Sequence, residues 1–174
     1  METVLAALIV ISLILFAIPT LVNSALTAQN SFVEDWQSLQ QVSIERSATS
    51  LAISDAQAQN NIVDLTIRNV GTTKLADFEE WDLILQYDAV SQGYQIEWVP
   101  YTTLSGGMQR WQVEGIYIDV DQGIEEAFEP DILNPGEQMT IRVTVASAVK
   151  PASAAQVTVS TPNGITASTV FICQ

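Results

Sequence analysis

The chain has 174 residues, of which 48% are hydrophobic, six are basic and twenty are acidic, giving a net charge of −14. This negative charge argues against binding to nucleic acids or anionic membrane surfaces, because both repel acidic proteins. Histidine, the commonest general base and metal ligand, is absent, so we expect no enzymatic activity and no cofactor, and the single cysteine, Cys173, excludes an internal disulfide and is expected to be buried.

Residues 3–22 form an uncharged segment in which 13 of 20 positions are Val, Leu, Ile or Phe. As a helix, this segment would be about 30 Å long, which is the thickness of a bilayer's hydrocarbon core. Burying the large apolar side chains would contribute about 20 to 40 kcal/mol, more than the net stability of a typical domain. Signal peptides and ordinary membrane anchors carry basic flanks, but Lys and Arg are absent before Arg46. We therefore predict a helix that enters a membrane transiently and then packs against copies of itself.

Beyond residue 22 the composition becomes polar, yet an apolar stripe continues. Phe32, Trp36 and Leu39 keep the i, i+4, i+7 spacing of an amphipathic helix. The helix is therefore predicted to continue with one face available to a globular body, and to end between Gln41 and Ser50. We assign residues 1–47 to this long N-terminal helix.

Residues 48–174 change to the two-residue period of β-strands. Seven or eight short β-branched or aromatic runs are separated by turn signals such as Asn69-Val70-Gly71 and Pro162-Asn163-Gly164. One face of each run is apolar and the other polar, so two antiparallel sheets should pack face to face. The predicted fold class is α+β: a long hydrophobic helix followed by an all-β, Ig-like sandwich. The connection from Ala127 to Gly136 is predicted to cross between the sheets. The predicted strand segments are SLAIS, NIVDLTIRN, EWDLILQY, YQIEWV, GIYIDV, QMTIRVTVA, AQVTVS and TASTVFI.

Two acidic groups are candidate chemical sites. Asp119, Asp121 and Glu125 could offer carboxylate oxygens to Ca²⁺, but they lack the spacing of an EF-hand, and a solvated turn is the favoured interpretation. They are weak metal candidates only. The second group, residues 77–82, surrounds Trp81, which we predict to be a core aromatic with the acids on its rim. Paired carboxylates can hydrolyse glycosides only in a cleft, which the sequence does not indicate.

The arrangement of an uncharged N-terminal helix running directly into an acidic β domain resembles the archaellins, the filament subunits of the archaellum, and more widely the type IV pilin-like superfamily. Within the β region, LTIRNVGTTKL, FEEWDLIL, LNPGEQMTIRV and VSTPNGITASTVF resemble segments shared by archaellins and the related archaellum accessory and stator proteins. The resemblance covers both parts of the chain, and the order of these features is more specific than any one segment.

The resemblance implies a membrane-inserted precursor that is cut by a dedicated peptidase just before the helix. An export platform then extracts the subunits, whose helices bundle into the core of an extracellular, homopolymeric filament used in motility, with adhesion as a further role. Identical subunits related by a constant operation that does not close form such a helical fibre. The helix positions predicted to be buried between subunits are Val4, Leu5, Leu8, Ile9, Ile11, Leu15, Phe16 and Ile18.

The sequence departs from the family pattern in three ways. The basic residues and glycine that precede the cut in such precursors are absent, which suggests that the chain is the mature form or nearly so. Type IV pilins usually carry Glu at the fifth mature position, but here residue 5 is Leu and the carboxylate is at Glu2, which favours the archaellins. Archaellins are often N-glycosylated, but no Asn here heads an N-x-S/T sequon.

Two rival hypotheses remain at this point. In the first, the chain is a stator-like accessory protein that the same helix keeps in the membrane, while its sandwich binds the cell envelope. The abundance of the protein would separate the two, because a filament subunit should dominate sheared surface material. In the second, the chain is a membrane-tethered enzyme, which would require a pocket with convergent polar groups.

Overall fold

The computed structural model describes the backbone of residues 2–104 and 107–174; within the N-terminal helix, the side chains at positions 2–6, 10, 14, 16, 19–22 and 25 are outside the described part. Helix α1 spans Glu2–Ala48, and a short 3₁₀ helix lies at Phe78–Glu80. Nine strands occur in the described residues: β1 (Leu51–Gln59), β2 (Ile62–Asn69), β3 (Asp82–Ala89), β4 (Gly93–Val99), β5 (Arg110–Asp119), β6 (Ile124–Glu125), β7 (Gln138–Thr144), β8 (Ala154–Ser160) and β9 (Thr166–Ile172).

The chain divides into two compact units, the first ending at Ser43 and the second beginning at Ile44. The last turn of α1 therefore belongs to the second unit. The helix ends at Ala48, inside the predicted window. The Thr49 N–H still donates to the Glu45 carbonyl at 3.0 Å, as in a continuing helix. The carbonyl of Ala48, however, accepts from the Thr72 N–H at 2.8 Å instead of from a following turn, and β1 begins at Leu51.

The strands form two antiparallel sheets, which confirms the predicted β-sandwich. The first sheet has the order β1-β2-β7-β5-β6 and the second the order β4-β3-β8-β9. Each of the eight predicted segments contributes to a strand. The structure has nine strands among the described residues, whereas seven or eight were predicted. The additional strand is β6, whose two residues pair with Tyr117 and Asp119 at the end of β5. Two residues are too few to show alternation, so the sequence pattern did not reveal β6.

Two strands are longer than their sequence pattern indicated, because each contains a β-bulge. In β1 the pairing with β2 shifts between Ile53 and Asp55, so buried positions move from odd to even numbers. In β5 the pairing with β7 shifts between Val113 and Gly115 in the same way. A bulge inserts one unpaired residue and reverses the parity of the residues that face the core.

One hydrophobic core lies between the sheets and is built from side chains of both. Trp111, Tyr87, Leu133 and Met139 are among its largest fully buried members. Within the described part of the chain, every buried apolar side chain falls between Leu51 and Cys173, so the second unit contains a complete core of its own.

Two predictions about the core are confirmed. Trp81 is buried, and its indole Nε1 donates to the Ala76 carbonyl at 3.0 Å, while the acids at positions 77, 79, 80 and 82 are exposed. Cys173 is buried, and this burial raises the pKa of its thiol.

The prediction that the connection from Ala127 to Gly136 crosses between sheets is wrong. This connection joins β6 to β7, and both strands belong to the five-stranded sheet, where β5 lies between them. Its Leu133 is fully buried and forms an isolated antiparallel bridge with Leu75. The prolines at 130 and 135 therefore shape a connection within one sheet that is anchored by a core leucine.

Candidate functional site

The first half of α1 exposes large apolar side chains. Leu8, Ile9, Ile11, Leu15 and Ile18 are each between 51% and 67% exposed. The other three residues predicted for polymerisation, Val4, Leu5 and Phe16, have side chains outside the described part of the structure. Ser12 does not create a polar spot among these residues, because its hydroxyl donates to the Leu8 carbonyl at 2.9 Å. The described surface here is therefore apolar.

These side chains do not form a single stripe. With 3.6 residues per turn, Leu8 and Leu15 point in directions only about 20° apart, whereas Ile9 points about 100° away from Leu8. A helix that exposes apolar groups in several directions can bury them all only if apolar partners surround it on several sides. A single flat docking surface would cover only some of them. Among the described residues, no helical stretch is both long enough and apolar enough to span a bilayer.

The second half of α1 carries the predicted aromatic stripe. Phe32 and Trp36 stack with ring centroids 6.2 Å apart, and they and Leu39 are exposed. The i, i+4 spacing brings the two rings together on one side of the helix. This stripe is an apolar surface that remains available in the isolated chain.

The last turn of α1 is bound to the β8–β9 turn by a chain of hydrogen bonds inside the second unit. The Arg46 Nε donates to the Asn163 carbonyl at 2.6 Å, and the Asn163 Nδ2 donates to the Thr49 Oγ1 at 2.8 Å. The Asn163 Oδ1 accepts from the Thr161 hydroxyl at 2.6 Å. Asn163 thus joins its own turn to Thr49, the residue directly after the helix.

The turn after β2 holds the same helix end from the backbone side. The Thr72 N–H donates to the Ala48 carbonyl at 2.8 Å, and the Val70 and Gly71 N–H groups both donate to the Ser50 carbonyl at 3.0 Å. A Cβ at Gly71 would lie 2.5 Å from the Ala48 oxygen, so this approach requires glycine. The sequence identified both turns only as breaks between strands and did not predict this junction.

The three weak metal candidates do not converge on a binding site. The Asp119 carboxylate is occupied by its own turn, because its Oδ1 accepts from the Asp121 and Gln122 N–H groups at 3.0 Å and 3.2 Å. Asp121 and Glu125 are exposed. No group of three or more Cys, Asp or Glu side chains placed to hold a metal ion is found in residues 2–104 and 107–174. The arrangement is a turn stabilised by an aspartate at its start.

Two further carboxyl groups, of Glu126 and Glu137, have shifted pKa values in the connection before β7. Glu137 is buried, and its two oxygens accept from the backbone and side-chain nitrogens of Asn134 at 2.7 Å and 3.2 Å. The nearby Glu126 accepts through its Oε1 from the Phe128 N–H at 2.6 Å. Burial raises the pKa of Glu137, while the Phe128 N–H lowers the pKa of Glu126.

Lys74 and Glu129 form an ion pair at 2.6 Å that holds the same connection from outside. The hydrogen bond from Lys74 lowers the pKa of the Glu129 carboxyl. Both side chains are at least 40% exposed, so this ion pair adds little to stability.

No protein-family model matches the chain, and no curated protein matches its sequence. Among proteins of known structure, it is similar to the archaeal flagellum of Methanospirillum hungatei strain JF1, with a TM-score of 0.55 and 11% identity over 94% of this chain and 90% of that one. It is also similar to archaeal flagellin FlaB1 from Methanocaldococcus jannaschii, with a TM-score of 0.55 and 14% identity over 72% of this chain and 90% of that one.

A third similar structure is the archaellum periplasmic stator protein complex FlaF and FlaG from Sulfolobus acidocaldarius, with a TM-score of 0.51 and 23% identity over 70% of this chain and 87% of the matched one. At these identities the likeness establishes a shared fold. The resemblance indicated by the sequence, to archaellins and to archaellum stator proteins, is confirmed at that level.

Proposed function

We propose that the chain is a structural, non-catalytic subunit of an archaellum-type assembly at the cell envelope, and specifically a subunit of its extracellular filament. In this proposal α1 acts as one continuous rod that polymerises with copies of itself, and the Ig-like sandwich faces solvent. The precursor enters the membrane, is processed by a peptidase and is handed to an export platform before assembly.

The extent of the similarity to the Methanospirillum hungatei flagellum carries this proposal. Helix α1 takes 47 of the 174 residues, so a match over 94% of the chain has to include most of the helix together with the sandwich. The exposed apolar side chains of the first half of α1 support the same conclusion. Burying five such side chains would contribute about 8 to 15 kcal/mol per subunit.

The substitution Leu8→Asp tests the proposal, because it places a charge among these apolar side chains. We expect the variant to form no filaments, since an unpaired carboxylate in an apolar bundle costs several kcal/mol at each subunit. Negative-stain electron microscopy of sheared surface material is the measurement. Leu8→Met is the matched control and should assemble, because it conserves apolar volume.

The sandwich should stay folded in both variants, since its core lies in the second unit. Thermal unfolding followed by tryptophan fluorescence checks this, because unfolding of the sandwich exposes the buried Trp81 and Trp111. Normal filaments from Leu8→Asp would overturn the proposal.

The similarity to the FlaF and FlaG complex favours a second candidate, a membrane-anchored stator-like protein whose sandwich binds the cell envelope. That similarity extends over 70% of the chain. Quantitative proteomics separates the candidates. A filament subunit should be the main protein of sheared appendages, whereas a stator-like protein should be scarce and remain with the cells.

A further inference from the structure

The outer face of the four-stranded sheet is unusually apolar. Alternation in β3, β4 and β9 buries one set of side chains in the core and turns the other outward, where a polar set would be expected. Instead, six large apolar residues lie on this outer face with exposed fractions from 36% to 65%. We call them the apolar face: Ile84, Tyr94, Ile96, Trp98, Val170 and Ile172.

The strand register divides the apolar face into two stripes. On one side, Trp98 lies opposite Ile84 and Ile96 lies opposite Gln86. On the other, Val170 lies opposite Gln156. The stripes on β4 and β9 therefore occupy the two edges of the sheet. Between them, the outward positions of the middle strands include Ile84, the paired amides of Gln86 and Gln156, and the carboxylates of Asp82 and Asp88.

Hydrogen bonds across the sheet fix the two exposed aromatic rings. The Trp98 Nε1 donates to Asp82 Oδ1 at 2.9 Å, and the Tyr94 hydroxyl donates to Gln86 Oε1 at 2.8 Å. Each bond holds a ring from β4 over β3. Side chains that are already ordered lose less conformational entropy when a partner binds, so the stripe on β4 is prepared for contact.

The charge of the apolar face indicates which kind of partner it can bind. On a chain with a net charge of −14, the outward positions of β3, β4, β8 and β9 hold only two carboxylates, at Asp82 and Asp88, and no basic residue. The outer face of the other sheet, in contrast, carries Arg142 between Asp64 and Glu114. A basic partner would gain little from the apolar face. A second copy of this acidic chain would meet the least repulsion there.

We propose that the apolar face binds the apolar face of a second copy through a two-fold contact. A rotation about an axis parallel to the strands places the β4 stripe of each copy on the β9 stripe of the other, so the surface is self-complementary. The amide groups in the middle carry both donors and acceptors and can pair with their counterparts. The contact involves only the second unit, so it does not rest on the proposed polymerisation of α1.

The size of the sheet predicts a weak pair. Four strands about 4.8 Å apart and about seven residues long cover about 19 Å by 23 Å, or about 900 Å² for both copies. This area is below that of standard stable interfaces and is typical of transient ones. The pair should therefore form at high local concentration, as on a cell surface, and dissociate on dilution.

Sedimentation equilibrium of the full chain in detergent measures this pairing of the apolar faces. Micelles are kept in excess over protein chains, so that two chains do not share a micelle by chance. We expect a concentration-dependent dimer, and Ile96→Asp should weaken it about ten-fold or more, because it buries a charge against an apolar stripe. Ile62→Asp is the matched control, since Ile62 lies on the outer face of the other sheet opposite Thr144. The control should pair like the unmodified chain, and thermal unfolding checks that both variants are folded.

Mixing two variants tests the arrangement of the stripes. Ile96→Lys and Val170→Asp should each fail to pair alone, but the mixture should pair, because a lysine on β4 then meets an aspartate on β9 of the other copy. A chain that stays monomeric at millimolar concentration, an Ile62→Asp variant as weak as Ile96→Asp, or a mixture that fails to pair would overturn the proposal. Normal filaments from Leu8→Asp together with intact pairing would contradict the filament proposal alone.

Discussion

Gly71 is the residue at which the chain can least accept a side chain. Its missing Cβ would lie 2.5 Å from both the Ala48 oxygen and the Ser50 nitrogen, and these are backbone atoms that cannot turn away. Gly71→Ala should therefore force the end of α1 away from the β2 turn and break the bonds between them. We expect a loss of about 2 to 4 kcal/mol in the free energy of unfolding, in the range of severe substitutions.

Gly93→Ala is the control for this prediction, measured by the same urea unfolding. Gly93 has a positive φ of 71°, but no atom lies within 4 Å of its added Cβ. Its substitution should lower the free energy of unfolding by only about 1 kcal/mol, because alanine is strained in a left-handed backbone conformation. Equal stability of the two variants would contradict the prediction. It would mean that the end of α1 and the β2 turn can move apart at little cost in free energy.

Asn163 makes a long-range contact that the local sequence pattern does not predict. The sequence Pro-Asn-Gly predicts a turn, and a turn is found. The side chain of Asn163, however, reaches Thr49, which is 114 residues away in the chain. Such a contact depends on the three-dimensional arrangement of the second unit, so no local signal could have predicted it.

At the scale of elements, the predictable part of the fold is the part with regular alternation. β2 and β7 alternate without interruption and were predicted almost to the residue. β1 and β5 were predicted too short, because Ser54 and Glu114 interrupt the alternation at bulges. The helix ended where expected. Long-range packing decided the rest, including the route of the connection from β6 to β7.

The candidate surfaces divide in the same way. The apolar side chains that α1 exposes could be predicted from composition alone. An uncharged segment made mostly of Val, Leu, Ile and Phe places apolar side chains on every side of its helix. The apolar face of the second sheet was not predicted, although β4 and β9 themselves were. Alternation separates the two faces of a strand, but where both faces carry apolar residues it does not show which one is buried.

The connection from β6 to β7 should respond to pH through Glu137. Because burial raises the pKa of Glu137 above its ordinary value of 4.5, the folded chain holds this proton more tightly than the unfolded chain. Its contribution to stability is present at pH below 4.5 and is lost as pH rises through the raised folded value. Glu126, with a lowered pKa, acts in the opposite sense and loses its contribution as pH falls.

Glu137→Gln isolates the effect of the buried carboxyl group. Glutamine keeps an oxygen for the Asn134 N–H and offers an N–H₂ group to Glu126, without a titrating proton. The free energy of unfolding of this variant, relative to the unmodified chain, should therefore increase from pH 4 to pH 7 in denaturant titrations. Glu125→Gln removes an equal charge from an exposed position and should show no such trend. A constant difference for Glu137→Gln would contradict the assignment.

At the scale of the whole molecule, charge and apolar surface are separated along the chain. Glu2 is the only charged residue before Glu34, whereas most of the twenty acidic residues lie in the second unit. An assembly that buries α1 would keep these acids in solvent. Their mutual repulsion would limit unspecific clumping of the sandwiches and leave the apolar face as the least repulsive approach.

Salt should therefore strengthen self-association of the chain. Neighbouring copies with a charge of −14 repel each other, and ions screen this repulsion beyond about 10 Å at 0.1 M salt and about 3 Å at 1 M. The apolar contacts lose nothing to screening. We expect the association constant for pairing, measured by sedimentation, to rise several-fold between 50 mM and 500 mM NaCl. Association that weakens with salt would instead indicate attractive ion pairs between copies, which the apolar face, with no basic residue, cannot supply.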